Sequence, residues 1–346
     1  MNKLVPALCL FLLCSFLSMG QVGGSYSFAF LNVPASARIA ALGGTFISVK
    51  DDDLNGALQN PSVLNPSMNT SLLLNYVAYF DDVKFGDAAY AKDFHKAGTF
   101  MVNMHFANYG SFPETDITGQ TLGTFHAADY NLNVGWGYRM NKLFSVGAGL
   151  KSIYSNYYTV NSFGLGTDLA ATMFDSSSQV TAALVARNIG VQLKSYTEGD
   201  KEALPVEVDV AVSKRLVHTP LRFNLTYRHL EKFDLAYTDP NDASQVDALT
   251  GETQLATYSF FNKFSRHVIL AAEILLTKNF HLRAAYNFQR RQELSVDGSP
   301  GTVGISWGFG IKISKFIISY GNASYHLAGS ANHFSIATKL SDFIKK

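Results

Sequence analysis

The clearest pattern in this chain is the alternation of apolar and polar side chains from about residue 70 onward. In 303–313, for example, every odd-numbered residue is apolar and every even-numbered residue is small or polar. Lys312 is one of the polar ones. Successive side chains of a β-strand point to opposite faces, so each such stretch predicts a strand between two different environments. About fourteen stretches of this kind occur, enough to close an antiparallel barrel. They cover 71–80, 84–91, 98–107, 129–139, 144–155, 163–174, 179–187, 206–213, 220–229, 266–275, 280–288, 302–313, 315–321 and 332–340.

The connections between these strands alternate in length. The short set is 140–143, 175–178, 214–219, 277–279 and Ser314, and the long set is 108–128, 156–162, 188–205, 230–265, 289–301 and 322–331. Only 81–83 breaks the alternation, as a short link on the long side. Short periplasmic turns opposite long extracellular loops are typical of a transmembrane barrel, whereas a secreted β-sandwich or solenoid needs no such alternation. We therefore predict an all-β, antiparallel transmembrane barrel at 71–346 in the bacterial outer membrane, with both termini in the periplasm.

Charged residues on the polar faces of the strands predict a network inside the barrel. These residues are Lys151, Glu207, Asp209, Arg222, Arg228, Arg283 and Lys312. Both signs are present, which indicates paired ions that fill the lumen, rather than a conducting pore of one sign. Buried charges are normally paired with each other, so a structural role is favoured over a solute path.

The first seventy residues do not follow the alternation. Residues 1–20 have the pattern of a secretory signal peptide, with Lys3 ahead of an apolar run and small residues before Gln21; an uncleaved anchor is the alternative. Both cysteines, Cys9 and Cys14, lie within it, so disulfide chemistry is not expected in the mature chain. No later run of 18 or more uncharged apolar residues suggests a transmembrane helix.

Residues 21–70 are predicted to form a hatch folded inside the barrel. This segment contains Gly43-Gly44 and two Asn-Pro steps, the first at Asn60-Pro61. Asp53 is a plausible N-cap for a short helix through Gln59, which Asn60 ends before Pro61. A hatch would explain why some inward faces of the barrel are partly apolar.

Composition and motifs exclude several functions. The 28 Lys and Arg balance 27 Asp and Glu, which argues against a nucleic-acid surface. The chain lacks the Ser-x-x-Lys and Lys-Thr-Gly pair of penicillin-binding enzymes and a Walker-type phosphate loop. Its nine histidines are scattered, without the paired spacing of a metal site. We expect no enzyme activity, no metal and no cofactor.

The longest predicted loop, 230–265, is acidic and carries aromatic residues. Its candidate partner-binding residues are Asp234, Tyr237, Asp239, Asp242, Asp247 and Glu252. This composition fits a surface that docks another protein. It fits an ordinary solvated loop equally well, because loops are polar in any case.

Two parts of the chain resemble a known family. The run 26–38, the strings Ala41-Leu42-Gly43-Gly44 and 57–61, and the C-terminal stretch 332–343 are similar to the PorQ family of the type IX secretion system of Bacteroidota. That family is related to PorV and to the fatty-acid transporter FadL, whose fold is a fourteen-stranded barrel with an N-terminal hatch. The resemblance extends over the mature chain, although only these segments are distinctive.

The resemblance implies a role in surface attachment without chemistry of its own. A PorQ-like protein would belong to an outer-membrane complex with PorU, PorV and PorZ, which processes secreted cargo and joins it to lipopolysaccharide. The sortase activity would belong to PorU, and this chain would hold a PorZ-like protein at the membrane. The alternative is a FadL-like channel for hydrophobic small molecules, which needs an apolar pocket and an opening in the wall.

Overall fold

Fourteen antiparallel strands form a closed barrel in which each strand pairs with its neighbours in sequence and β1 pairs with β14. The structure, a computed structural model, describes residues 26–236, 258–294, 301–326 and 329–344, without the side chains of 325 and 326. The strands are β1 Ser71–Ala78, β2 Lys84–Asp93, β3 Thr99–Thr115, β4 Thr121–Arg139, β5 Phe144–Tyr157, β6 Val160–Asp175, β7 Val180–Lys194, β8 Glu207–Arg215, β9 Leu221–Tyr227, β10 Val268–Ile274, β11 Phe280–Asn287, β12 Ile305–Ile313, β13 Phe316–His326 and β14 Gly329–Lys339. The predicted fold class is confirmed.

Helical structure is short and forms no part of the strand wall. The α-helices are α1 Ala37–Ala41, α2 Phe260–Arg266 and α3 Phe288–Leu294. The 3₁₀ turns are Ala29–Asn32, Leu54–Leu58, Pro61–Val63, Pro66–Met68, His95–Ala97 and Leu340–Phe343. Among the described residues, no helix has both the length and the apolar character needed to cross a membrane. The predicted cap at Asp53 is confirmed, since its side chain accepts a hydrogen bond from the Asn55 backbone N–H.

The two ends of the barrel differ in their connections. The end with 140–143 and 176–179 is called the short-turn end, and the opposite end, with 195–206 and 228–267, is called the long-loop end. Ser71 of β1 pairs with Lys339 of β14, so the barrel begins and ends at the short-turn end, as an even strand number requires. The described part of the chain ahead of the barrel begins at the other end, where the Ser27 backbone N–H donates to the Ala203 carbonyl near the long-loop end.

The outer face of the barrel is apolar. Leu74, Val102, Leu132 and Leu225 point outward and are 42–50% exposed, whereas the intervening positions are buried and mostly small or polar. Trp136 stacks on Tyr138 at 5.9 Å near the short-turn end. An apolar band bordered by aromatic rings is the surface that hydrocarbon and its interfaces require.

Three of the predicted long loops are mostly strand. The predicted loop 108–128 is the upper part of the β3–β4 hairpin, and the links predicted at 156–162 and 322–331 are also shorter than expected. In the upper β3–β4 hairpin, 111–126, neither face is buried, so the apolar alternation stops although the backbone ladder continues. A register shift between Asn108 and Ser111, with Gly110 at φ 90°, marks the change. The prediction of six long loops was therefore wrong.

The height of the barrel wall varies around its circumference. Strands β3 to β7 contain 14 to 19 residues, whereas β8 to β12 contain only 7 to 9. Because the short-turn ends are aligned by tight turns, the missing length lies at the long-loop end. Helices α2 and α3 follow β9 and β11 in the chain on this low side.

Candidate functional site

The segment 26–70, called the hatch from here on, lies inside the lumen. It enters near the long-loop end and leaves at the short-turn end, where the Leu340 backbone N–H donates to the Thr70 carbonyl at 2.9 Å. Nearly every residue from Ala35 to Val49 is buried. Inward-facing glycines make room for it: a Cβ on Gly137 would lie 2.5 Å from the Pro61 carbonyl oxygen, and one on Gly147 would lie 2.3 Å from the Ser62 nitrogen.

The residues singled out as a hatch motif hold the segment in shape. Asn60 is fully buried, and its side-chain amide donates to the Ile47 carbonyl at 2.6 Å and to Thr172 Oγ1 on β6 at 3.0 Å. Its oxygen accepts from the Ser62 backbone N–H at 2.9 Å, which starts the 3₁₀ turn at Pro61.

Gly43 and Gly44 form the turn after α1. They have φ values of 89° and 98°, a region that favours glycine. The Gly43 carbonyl accepts from the Asn287 side chain on β11 at 3.0 Å, so this turn is also attached to the wall.

At the long-loop end, the hatch fills an apolar pocket. Phe28 and Phe30 are each 3% exposed and pack in a cluster with Val77, Phe85 and Ile153 of the wall. The Phe30 ring stacks on His105 with 5.5 Å between centroids, and His105 contacts Asp87 at 2.8 Å. The walls of this pocket are therefore apolar, with one polar edge.

Deeper in the lumen, Arg38 of the hatch joins a first ion cluster. Its guanidinium contacts Asp51 at 2.8 Å, Asp53 at 2.9 Å and Glu273 on β10 at 3.1 Å. Glu273 is fully buried and also contacts Arg222 at 2.8 Å and Arg283 at 3.1 Å. Burial alone would raise the pKa of Asp51, but the adjacent Arg38 and Arg222 hold that pKa below its ordinary value.

A second ion cluster lies on β7 and β8. Arg187 contacts Glu207 at 2.8 Å and Asp209 at 2.9 Å, and Arg228 contacts Glu207 at 2.5 Å. On the neighbouring strands, Lys151 contacts Asp168 at 2.8 Å. The structure thus pairs six of the seven residues of the predicted lumen network.

Lys312 is the exception in that network. It lies on the inward face of β12, but at the short-turn rim, where the lumen opens, and its side chain is exposed. It forms no ion pair with any residue in the described ranges. The alternation identifies which face a residue is on, but not how deep it lies.

The sequence-based lumen network lacked several charged partners, among them Asp51 and Asp53 of the hatch. Three others, Asp168, Arg187 and Glu273, occupy the alternate strand positions that face the lumen. The same alternation that identified Glu207 could therefore have identified them. It could not have identified Arg38, because the hatch has no strand periodicity to indicate where its side chains point.

Two of the cavities that border the hatch differ in depth and in lining. The first, of about 50 Å³, lies in mid-lumen against Asn103, Asn131, Asn133 and Lys151. The side-chain oxygens of the three asparagines are buried without a hydrogen-bond partner in the described part of the protein, so this cavity suits water or another polar occupant. The second, of about 750 Å³, opens at the short-turn end, where Lys50, Lys96, Arg139 and Lys142 line it with Leu64.

The candidate partner loop is described only in part. Asp234 is about half exposed and contacts Lys263 at 2.5 Å. Tyr237, Asp239, Asp242, Asp247 and Glu252 lie outside the described residues.

No metal-binding cluster is found within the described ranges, and a string with a hydrolase pattern lies inside a strand. These residues hold no group of three or more His, Cys, Asp or Glu side chains suited to a metal ion. The string Gly304-Ile305-Ser306-Trp307-Gly308 matches the Gly-x-Ser-x-Gly pattern of hydrolases. However, Ser306 is buried within strand β12, whereas a nucleophile elbow needs a strand-to-helix turn.

Comparison with known proteins supports the fold. No protein-family model matches the chain, and no curated protein matches it. The Ralstonia pickettii toluene transporter TbuX is similar in structure, with a TM-score of 0.51 at 9% identity over 89% of this chain and 98% of that chain. The Pseudomonas putida toluene transporter TodX has a TM-score of 0.49 at 10% identity, over 89% of this chain and 99% of that chain. A Pseudomonas aeruginosa FadL homologue has a TM-score of 0.48 at 10% identity, over 88% of this chain and 97% of that chain.

At these identities the likeness concerns the fold alone, and the resemblance to PorQ stays a prediction. Among these relatives, only TbuX reaches a similarity on which a conclusion about architecture can rest. TbuX is described as a toluene transporter, which is a property of that protein. This chain therefore shares its fold with the TbuX barrel.

Proposed function

We propose that this protein is an integral outer-membrane channel that admits a small hydrophobic molecule at its long-loop end, with the short turns in the periplasm. The observation that supports this proposal is the apolar pocket filled by Phe28 and Phe30. A chain that covers such a pocket with its own Phe28 and Phe30 keeps a site that a hydrophobic ligand can enter when those residues move.

Replacing a buried Phe side chain by a hydrophobic ligand changes the free energy little. Taking a buried Phe side chain into water costs about 1.5 to 3 kcal/mol, and a ligand of similar apolar area regains a comparable amount. The pocket ends at polar groups, first His105 and then the asparagines of the small cavity. A hydrophobic solute therefore cannot continue straight down the lumen, and its passage requires a shift of the hatch or an exit through the wall.

Toluene is a suitable probe, because TbuX, which shares the fold, is described as a toluene transporter. We expect toluene to bind the purified barrel and to bind more tightly to Phe30→Ala, in which the pocket is partly vacated. Ile153→Trp should fill the pocket and weaken binding. Phe94→Ala, at a ring that is 55% exposed, serves as the control and should change nothing. Isothermal titration calorimetry in detergent measures these affinities, and equal binding by Phe30→Ala and Ile153→Trp would contradict the proposal.

A second candidate is the attachment role implied by the resemblance to PorQ. In this case the barrel would anchor a PorZ-like protein in a complex with PorU and PorV, in contact with outer-membrane lipid and lipopolysaccharide. The two ion clusters support this alternative, because a lumen crossed by Arg38–Glu273 and Arg187–Glu207 contacts can remain closed in a scaffold.

Deletion of the gene separates the two candidates. If the protein is a scaffold, the PorZ-like partner should leave the cell surface while hydrocarbon uptake is unchanged. If it is a channel, uptake should fall while the partner stays in place. Re-expression of Ile153→Trp sharpens the result: in the scaffold case it should restore the partner to the surface, whereas in the channel case it should fail to restore uptake, because the pocket is filled.

A further inference from the structure

Helix α2 has its apolar face outward and its polar face inward. Phe260, Phe261 and Phe264 are 72%, 76% and 40% exposed, whereas Ser265 and Arg266 are 8% and 6% exposed. A helix on the surface of a protein in water has the opposite arrangement. The environment outside α2 is therefore expected to be apolar.

The inward face of α2 is held by polar contacts. Arg266 Nη1 lies 3.6 Å from Glu293 Oε1 on α3, and Gln292 of α3 donates to Ser265 Oγ at 2.8 Å. Ser259 caps the helix, with its hydroxyl accepting from the Asn262 backbone N–H. These contacts fix the orientation of the helix, so the exposure of its three phenylalanines is not the result of a missing attachment.

The apolar face of α2 is continuous with the apolar band of the barrel. Phe264 lies 5.3 Å from Tyr227, measured between ring centroids, and Phe260 follows at 6.3 Å from Phe264. Tyr227 ends the outward row of β9, in which Phe223 and Leu225 are 48% and 50% exposed. The row of outward rings thus passes from the strand to the helix without interruption.

The wall is too low at this place to cross the hydrocarbon unaided. Strands β9 and β10 contain 7 residues each. At about 3.4 Å per residue and a tilt of about 40°, seven residues rise only about 18 Å, against an apolar band of about 25 Å. The difference is close to the width of one helix, about 10 Å.

From these observations we infer that α2 lies in the outer part of the bilayer and completes the apolar band above β9 and β10, with Phe260, Phe261 and Phe264 against lipid acyl chains. The inference depends on the barrel fold and not on the proposed channel. A docked protein is the weaker alternative, because a protein that binds beside the barrel would leave the height difference at β9 and β10 unfilled.

The test measures where a tryptophan on α2 is located. The two native tryptophans are replaced in a Trp136→Phe/Trp307→Phe background, and Phe261→Trp is then introduced alone. Phe334→Trp on the outward row of β14, 47% exposed, is the control within the band. Ile117→Trp in the β3–β4 turn is the control in water. Heat-modified electrophoretic migration verifies that each variant folds.

In vesicles of phosphatidylcholine brominated on the acyl chains, the Phe261→Trp fluorescence should fall as much as that of Phe334→Trp, while Ile117→Trp keeps its intensity. Aqueous acrylamide should quench only Ile117→Trp. Two outcomes would overturn the inference. Quenching of Phe261→Trp by acrylamide would place the helix in water, available to a partner protein, and protection from both quenchers would show that other parts of the chain cover it.

Discussion

Arg38 of the hatch contacts Glu273 of β10 at 3.1 Å, a pairing between residues 235 positions apart. Glu273 also accepts from Arg222 and Arg283, so three arginines surround one fully buried carboxylate. Two of these arginines belong to the wall, and only Arg38 comes from the hatch. This contact therefore connects the folding of the plug to the folding of the barrel.

Replacement of Arg38 should loosen the hatch more than the barrel. In Arg38→Met, Asp53 loses its cation and Asp51 keeps only Arg222 at 3.6 Å, while Glu273 keeps two arginines. Removing one partner of a buried ion pair costs about 3 to 5 kcal/mol. We expect faster proteolysis of residues 26–70 in the folded barrel, with the heat-modified migration retained. Arg215→Met, at an exposed position of β8, is the matched control. Equal proteolysis of both variants would contradict the assignment.

The two Asn-Pro-Ser turns of the hatch offer a second, internally controlled comparison. Asn60 is fully buried and contacts Ile47 and Thr172, whereas Asn65 is partly exposed and its side chain has backbone carbonyl partners within the hatch. Asn60→Ala should lower the free energy of unfolding by about 1 to 3 kcal/mol, since it leaves buried groups unpaired. Asn65→Ala should cost less. Denaturant unfolding monitored by tryptophan fluorescence measures both, and the reverse order would contradict the placement of Asn60.

Glycines of the wall should limit how the hatch packs. A Cβ on Gly147 would lie 2.3 Å from the Ser62 nitrogen, whereas a Cβ on Gly166 would lie 3.4 Å from Leu204, an ordinary contact. Both positions are inward-facing and lie within strands. Gly147→Ala should displace the turn at Pro61 and expose the hatch to protease, while Gly166→Ala should behave like the unmodified protein. Protection of the hatch in both variants would show that the turn at Pro61 does not pack against β5.

The attachment of the hatch should depend on pH through Asp51. Its pKa is held below the ordinary value by Arg38 and Arg222, so the charged form is favoured in the folded state. The resulting stabilisation is fully present above the unfolded pKa of about 3.9 and is lost as pH falls through the lower folded value. Proteolysis of the hatch should therefore increase below about pH 4. Asp51→Asn should show a smaller pH dependence, and an unchanged profile would exclude Asp51 as a cause.

Much of the barrel can be predicted from the sequence. The period-two alternation located all fourteen strands, and the parity of Glu207, Asp209 and Arg222 placed them inside. This succeeds because the membrane imposes one physical rule on every strand, apolar outward and polar or small inward. The alternation failed above the band, at 108–128, where both faces meet water and the hydrophobic pattern carries no information about backbone pairing.

The sequence by itself determined the closed barrel, its two-sided wall and the presence of a segment that does not join the wall. Only the tertiary structure decided that Phe28 and Phe30 fill the apolar pocket, that Arg38 reaches Glu273, and that α2 turns its phenylalanines outward. The physical reason is the range of the interactions. Strand faces follow from neighbours two residues apart, whereas the position of the hatch depends on contacts between residues more than two hundred positions apart, such as Arg38 with Glu273 and Asn287 with Gly43, which no local pattern encodes.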